Sequence, residues 1–263
     1  MMGRIYSQTS KVFVWLGPGH DHVRSVFAFI RVWATTLRQW QENFGTATLH
    51  PRLLAELDHV MKTALRLWNL RLAQPADGVT PEDSNQTSAP LETIHPDVFL
   101  KTVMDVFDDR PYWGRMWTFQ ELYLPGDGVL ICGSDIVVGI AEVSSVFLWL
   151  HYIGAPLIQQ PRPEEISPSV WDVLHDLVLN LQKLPIFNVL ALRIQLIRLE
   201  DDEPGKVASL LRATQFRQAT NPRDLYYGVM GVLELPLSVD YAAPVESVIW
   251  MPRECCVKAV AIC

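Results

Sequence analysis

The chain has 263 residues, of which 49% are hydrophobic and 19% charged, and its formal net charge is −7. This composition excludes a largely disordered chain and supplies enough apolar residues for a substantial core. The acidic balance, without any outstanding basic stretch, argues against a nucleic-acid-binding surface.

The cysteines and the N-terminus predict a cytoplasmic protein without a metal site. Neither a CxxC spacing nor a usual disulfide framework is formed by Cys132, Cys255, Cys256 and Cys263, which favours a reducing compartment. Residues 1–10 lack the pattern of a signal peptide. The most apolar stretch, residues 184–199, is too polar for a bilayer span, so we expect no membrane partner.

The first part of the chain predicts one strand and two long helices. Residues 11–17 form an apolar run that ends at a Gly-Pro-Gly turn, which is typical of a strand buried on both faces in a parallel sheet. Helices are predicted over 23–43 and 52–73, where apolar residues recur at helical spacing. Residues 74–97 contain four prolines and many small polar residues, and they predict a loop insertion.

The rest of the chain predicts a hairpin and more helices. A helix from residue 98 ends before Pro111, where Asp108 or Asp109 is expected to cap the next helix. The predicted elements that follow are a helix to residue 124, strands at 129–132 and 136–138, and helices at 141–152, 170–183, 185–199, 206–217 and 222–230. A Pro-rich link is predicted at 156–168 and a solvated acidic loop at 200–203.

Residues 110–121, Arg-Pro-Tyr-Trp-Gly-Arg-Met-Trp-Thr-Phe-Gln-Glu, are the most informative stretch. They place two tryptophans, two arginines and a carboxylate within about three helical turns. The rings are too many for a solvated helix, and the charges are too many for a plain core helix. We therefore predict one partly buried helix whose polar groups need partners.

Three pieces of the chain resemble, in this order, the fungal heterokaryon-incompatibility (HET) domain. The first is Ile5-Tyr6 with the strand at 12–17, and the second is the 110–121 stretch followed by Cys132-Gly133. The third is Ala-Thr-Asn-Pro-Arg-Asp at 219–224, followed by Tyr227, Gly231 and Asp240-Tyr241. The resemblance covers about residues 5–248.

The resemblance implies an α/β fold, with a TIR-like (flavodoxin-like) parallel sheet that is incomplete here and a helix-rich C-terminal half. The Ser-Tyr-x-Trp-Gly segment that opens the family's domain is not found, and Asn221 stands where the family more usually has Asp. We therefore expect a partial HET domain over 1–250, with the insertion at 74–97 and the link at 156–168. A truncated tail is expected over 251–263.

HET domains resemble TIR domains, some of which cleave NAD with the glutamate of a Trp-x-x-x-Glu helix. Trp117 and Glu121 have this spacing, so the resemblance implies Glu121 as the catalytic residue and NAD as a substrate. On one helix, Glu121 would share a face with Trp117 and Gly114, and the glycine would leave room beside the carboxylate. The alternative is a buried structural glutamate paired with Arg110, Arg115 or Arg223.

The arginines of the 110–121 motif also have two possible roles, one in ligand binding and one in the structure. Arg110 and Arg115 could bind phosphate, or they could pair with acidic groups and stack on Tyr112 and Trp113. Trp113, Trp117 and Gln120 belong to the same motif and are expected to be structural.

Residues 219–224 predict the start of a helix. Asn221 is expected to be the cap, with Pro222 at the first helical position and Asp224 facing the helix dipole. Capping does not explain Arg223, so we expect it to have a carboxylate partner, either Glu121 or Asp224.

The Gly17-Pro18-Gly19 turn is a weaker candidate for ligand binding. Loops at the carboxyl ends of parallel strands often bind ligands, and the backbone amides near Gly17 and Gly19 could meet a phosphate. His20 and His22 could bind a metal, but no third ligand is evident, and a solvated turn explains them as well.

The resemblance implies a role in fungal allorecognition and regulated cell death, with other incompatibility or NLR-type proteins, or a second copy of the chain, as partners. The alternatives are a non-enzymatic module that signals by self-assembly and an inactive truncated paralogue. Because the segment that shapes much of the TIR nucleotide pocket is missing, we expect this chain alone not to turn over NAD.

Overall fold

A computed structural model of the protein describes residues 8–19, 21–44, 50–72, 96–124, 127–134, 136–198, 203–214, 217–233, 239–242 and 244. These residues form a mixed α/β structure that is mostly helical and contains a small three-stranded sheet. The family piece at Ile5-Tyr6, residues 74–95 of the predicted insertion and the tail at 251–263 lie outside the described residues.

The elements follow in the order β1 (Val12–Trp15), α1 (Asp21–Phe44), α2 (Pro51–Leu72), α3 (Pro96–Phe107), α4 (Pro111–Gly114), α5 (Met116–Tyr123), β2 (Gly128–Cys132), β3 (Ile136–Gly139), α6 (Ile140–Trp149), a π-helix (Leu150–Gly154), α7 (Ala155–Leu157), α8 (Pro168–Leu181), α9 (Pro185–Arg198), α10 (Glu203–Thr214) and α11 (Arg223–Val232). Proline is the first residue of α2, α3, α4, α8 and α9. Its fixed φ and missing N–H suit that position.

Outside residues 110–121, each predicted helix or strand overlaps an observed one. The largest shift is in α10, which was predicted over 206–217 and is found at Glu203–Thr214. Glu203 of the predicted acidic loop therefore lies in a helix, and residues 200–202 lie outside the described part of the chain.

The chain divides into two compact units. The first comprises Met1–Val14, Phe107–Val129 and Lys183–Cys263, and the second comprises Trp15–Val106 and Leu130–Gln182. The predicted link at 156–168 lies inside the second unit.

The sheet has the strand order β1-β2-β3 and is mixed, whereas the sequence predicted a parallel sheet. The β1 and β2 strands run parallel, because Val12 N donates to Asp127 O at 3.1 Å and Leu16 N donates to Ile131 O at 2.7 Å. A short turn at Gly133, with φ +69°, joins β2 to β3. Such a short connection allows only antiparallel pairing.

The prediction that β1 is buried on both faces is wrong. Val14 and Leu16 are buried, but Phe13 is 66% and Trp15 is 64% exposed. Successive side chains of a strand point to opposite faces, so the described layers bury only one of the two faces. The apolar run at 11–17 thus combines one core face with one exposed aromatic face.

The core of the second unit is formed largely by α1, which packs on α2, α6 and β3. The indoles of Trp33 and Trp149 meet edge to face at 5.1 Å, with Trp33 fully buried. The π-helix that continues α6 packs against α8, where a Cβ on Gly154 would lie 3.1 Å from Val178 Cγ2. Close packing therefore accounts for this glycine.

A hydrogen-bonded carboxylate connects α2 to the start of α8. Asp58 Oδ1 accepts from Ser167 N at 2.8 Å and from Ser167 Oγ at 2.6 Å, while Lys62 Nζ lies 2.6 Å from Asp58 Oδ2. Burial alone would raise the pKa of Asp58. The contacts with Lys62 and Ser167 outweigh it and bring the pKa below its ordinary value of 3.8.

Asp58→Asn is expected to lower the free energy of unfolding at pH 7 by about 1–3 kcal/mol, because a charged acceptor is lost. A lowered folded-state pKa gives stability that is present above 3.8 and lost as pH falls through the folded value. The difference between wild type and variant should therefore shrink below about pH 4. Urea unfolding at several pH values measures it, with the exposed Asp172→Asn as control. An equal difference at pH 2 and pH 7 would contradict the prediction.

One described helical stretch, Ile140–Leu157, is long and apolar enough to cross a membrane by length and composition, with a mean hydropathy of 1.3. It differs from residues 184–199, the stretch interpreted from the sequence as the most apolar. Of its residues, 44% are buried within the protein, including Trp149 against Trp33. Core helices of soluble proteins can have the same length and apolar composition, so these properties are weak evidence for a membrane span. The cytoplasmic location stays a prediction.

Candidate functional site

The 110–121 motif forms two helices, and the prediction of one continuous helix is wrong. Between α4 and α5, Arg115 is extended, with φ −81° and ψ 140°, and it pairs in parallel with Gln218. Met116 N donates to Gln218 O at 2.9 Å, and Gln218 N donates to Gly114 O at 2.7 Å. A distant segment thus supplies backbone hydrogen bonds that a continuous helix would have made itself.

The break changes the expected geometry of the motif. Trp117 and Glu121 both lie in α5, four residues apart, but Gly114 belongs to α4 and does not share a helix face with Glu121. The cap of α4 is Arg110 rather than Asp108 or Asp109, and Pro111 is at the first helical position as predicted. The exposed Arg115 joins the two helices.

Arg217 holds the break in place. It is 8% exposed, and its Nη1 donates to Trp113 O at 3.0 Å, to Arg115 O at 3.2 Å and to Thr118 Oγ1 at 3.1 Å. The guanidinium also lies over the Phe119 ring, 5.3 Å from its centre. Burial lowers the pKa of Arg217 to about 10, so the side chain remains charged at neutral pH.

Arg217 is not among the site residues predicted from the sequence, which places it at the end of the helix predicted over 206–217. At the end of a predicted helix, an arginine is already explained by the helix dipole, so nothing in the sequence signals a buried role. Its role depends on carbonyls about a hundred residues away in the chain.

A direct contact joins α5 to α11. Gln120 is 1% exposed, and its Nε2 donates to Gly228 O at 2.7 Å. A Cβ on Gly228 would lie 2.3 Å from Met116 Cε and 2.9 Å from Met116 Cγ. A side chain at this position would displace Met116, so the close approach of the two helices favours glycine. The same close approach places the Gly228 carbonyl within reach of the Gln120 amide.

Gly228→Ala is expected to destabilise the protein by about 1–3 kcal/mol, because the added methyl overpacks Met116. Gly114→Ala is the matched control, since nothing lies within 4 Å of a Cβ there. We expect the control to stay within about 0.5 kcal/mol of wild type. Urea unfolding measures the free energy of unfolding of the two variants. Equal losses of stability in both would contradict the packing argument.

Asp224 connects α11 with α5 and with the residues that follow α11. It is 9% exposed; its Oδ2 accepts from Trp117 Nε1 at 3.3 Å, and its Oδ1 accepts from Tyr241 Oη at 2.6 Å. Asp224 also lies in the first turn of α11, where a carboxylate favours the helix dipole. Capping alone, as predicted for this residue, does not explain these two side-chain bonds.

The start of α11 follows the predicted motif with a shift of one residue. Asn221 Oδ1 accepts from Arg223 N at 3.0 Å, which is the bond expected of a cap. The helix begins at Arg223, and Pro222 stands before it rather than at its first position. Arg223 Nη1 reaches Asn221 Oδ1 at 3.4 Å. Among the described contacts, the carboxylate of Asp224 is bound to Trp117 and Tyr241 and not to Arg223.

Glu121 is half-buried, and its Oε2 accepts from Tyr112 Oη at 2.9 Å. Tyr112 lies in α4, so this bond also spans the break at Arg115. A partly exposed carboxylate held by a phenol could accept hydrogen bonds from hydroxyl groups, such as those of a ribose, or stabilise a developing cation.

The glycines of the 17–19 turn have a structural explanation. Gly17 has φ 100°, a backbone conformation that favours glycine, and its carbonyl accepts from Gly133 N at 2.8 Å. A Cβ on Gly19 would lie 2.7 Å from Ile136 Cδ1 and 3.0 Å from Cys132 O. Two turns thus pack closely against each other, and phosphate binding there stays a prediction. His20 lies outside the described residues.

Within the described ranges, no group of three or more His, Cys, Asp or Glu residues is placed to hold a metal ion. Cys132 is a buried thiol whose Sγ lies 3.3 Å from Pro18 O, and the other three cysteines fall outside those ranges.

Comparisons of this chain with protein-family models, with curated proteins and with solved structures find no significant match. The resemblance to HET and TIR domains therefore depends on the motif residues themselves.

Proposed function

We propose that the chain is a cytoplasmic HET-domain protein that acts in fungal allorecognition and regulated cell death. One observation supports this proposal above the others. Trp117 of the second motif contacts Asp224 of the third, although the two residues are 107 positions apart. Residues of two separate family motifs thus meet in one hydrogen-bonded contact between α5 and α11.

The fold that goes with this proposal is TIR-like. The parallel pairing of β1 with β2 and the helices α1 and α6 against the sheet support it. The partners would be other incompatibility or NLR-type proteins, or a second copy of the chain.

An inducible gene for this chain in a fungal host tests the proposal. Expression is expected to arrest growth, and Trp117→Phe to restore it, because phenylalanine keeps the ring but loses the N–H that binds Asp224. Trp15→Phe is the control, since Trp15 is 64% exposed. Equal protein levels by immunoblot are required. Growth that is unaffected by the wild-type chain would reject the proposal.

NAD cleavage is a second candidate activity, which the placement of Glu121 favours. The carboxylate is partly exposed, lies four residues after Trp117 in α5 and is oriented by the Tyr112 hydroxyl. An anion in this position could bind the ribose hydroxyls or stabilise the oxocarbenium-like state as nicotinamide leaves. The alternative is signalling by self-assembly without any reaction.

Nicotinamide release from NAD by the purified chain separates these activities. We expect no release by this chain alone. Release that disappears in Glu121→Gln but persists in Glu165→Gln, an exposed control, would contradict that expectation and favour the enzyme. Light scattering over a range of concentrations tests self-assembly, which should not change in Glu121→Gln.

A further inference from the structure

Residues 239–242, which we call the strap, are attached to α11 by hydrogen bonds. Tyr227 Oη donates to Asp240 O at 2.8 Å and accepts from Asp240 N at 3.1 Å. Asp240 Oδ1 in turn accepts from Ala242 N at 2.7 Å, which fixes the turn of the strap. One buried tyrosine of α11 therefore satisfies both backbone groups of one strap residue.

Tyr241 adds a second attachment that reaches from the surface to a buried carboxylate. Its side chain is 48% exposed, yet its hydroxyl donates to Asp224 Oδ1 at 2.6 Å. Its ring meets that of Tyr227 edge to face at 5.5 Å. The hydrogen bond to Asp224, helped by burial, raises the pKa of Tyr241 to about 12, so the hydroxyl remains a donor under ordinary conditions.

Asp224 connects this attachment to α5. Its two carboxylate oxygens are used separately, one by Tyr241 of the strap and the other by the indole N–H of Trp117. The hydrogen bond to Tyr241 is 2.6 Å long and the one to Trp117 is 3.3 Å long, so the bond to Tyr241 is 0.7 Å shorter. If the strap leaves, the buried Asp224 carboxylate keeps only the longer hydrogen bond, to Trp117. The freed oxygen must then bind water, which requires the contact between α5 and α11 to open.

We propose that the strap is a latch for the α5–α11 contact: with the strap docked, Tyr241 holds Asp224 and Asp224 holds Trp117, and release of the strap loosens Trp117 and the helix that carries Glu121. The latch is a conformational device that does not depend on the proposed function, because it predicts the state of α5 whether or not the chain signals or reacts. Its exposed element, the Tyr241 ring, is the part that another molecule could displace.

The indole N–H signal of Trp117 tests the latch directly. In protein labelled with ¹⁵N at tryptophan, this signal is assigned by its loss in Trp117→Phe. Tyr241→Phe removes only the hydroxyl, and it is expected to shift the Trp117 signal and to speed its hydrogen exchange by about tenfold or more. The signals of Trp33 and Trp149, in the other unit, should stay unchanged.

Two further variants separate a latch from a general loss of stability. Tyr152→Phe is the matched control, because Tyr152 is 46% exposed against 48% for Tyr241, and it should leave the Trp117 signal in place. Asp240→Ala loosens the strap without removing either partner of Asp224, and it should move the Trp117 signal in the same direction as Tyr241→Phe.

The latch is overturned if the Trp117 signal of Tyr241→Phe coincides with that of wild type. It is also overturned if Tyr152→Phe moves the signal as much, or if Asp240→Ala leaves it unmoved. Each of these results can occur with the growth phenotype and NAD assay unchanged, so failure of the latch and failure of the proposed function are distinguishable.

Discussion

Arg217→Met is expected to lower the free energy of unfolding by about 3–5 kcal/mol, one of the two largest losses that we predict. Methionine has a similar length, but it leaves the Trp113 and Arg115 carbonyls and the Thr118 hydroxyl without the donor that now serves all three. The lost charge also ends the contact over the Phe119 ring. Urea unfolding followed by circular dichroism measures the change.

The matched control for this substitution is Arg212→Met in the last turn of α10, where the arginine is exposed. We expect a loss of less than about 1 kcal/mol, since only the interaction with the helix dipole weakens. If the two variants unfold at the same urea concentration, the three hydrogen bonds of Arg217 do not hold the break between α4 and α5.

Trp113→Ala is expected to lower the free energy of unfolding by a similar amount, about 3–5 kcal/mol, because it removes a large buried ring from the core. The side chain is 1% exposed and lies against Phe107 at 6.1 Å and Tyr112 at 5.0 Å, measured between ring centres. Thermal and urea unfolding should both show the loss. This result would agree with the structural role that the sequence predicts for Trp113.

Trp15→Ala is the same substitution at a position that is 64% exposed. It should cost less than about 1 kcal/mol, because most of the ring is already in water. A loss as large as that of Trp113→Ala would mean that the exposed face of β1 is covered in solution, for example by a second copy of the chain.

Hydrophobic spacing was sufficient to predict most of the helices. The second long helix shows why: residues such as Leu53, Leu57 and Met61 recur at helical intervals, and all three are buried. Prolines marked where several helices begin, since a proline fits the first turn and little else in a helix. These signals are local, and local signals can be read without knowing the rest of the structure.

The features that the sequence could not supply depend on distant contacts. Gly114 alone is a weak signal for a break in the helix, because the backbone that pairs with Arg115 belongs to the distant Gln218. The same holds for Asp224, which looked like a helix-start residue and is also the shared acceptor of Trp117 and Tyr241. In β1, an apolar run suggested burial on both faces, although alternation leaves Phe13 and Trp15 in water.

The order of the segments in the first unit has a consequence for how the protein is made. Trp117 leaves the ribosome 107 residues before Asp224, and residues 130–182 of the other unit are synthesised between them. At usual rates this interval lasts roughly 5–20 s. During it, the buried residue Met116 lacks the α11 side of its packing, where it lies against Gly228. The nascent chain therefore has an exposed apolar helix that only its last third can cover, and chaperone binding is expected at this helix.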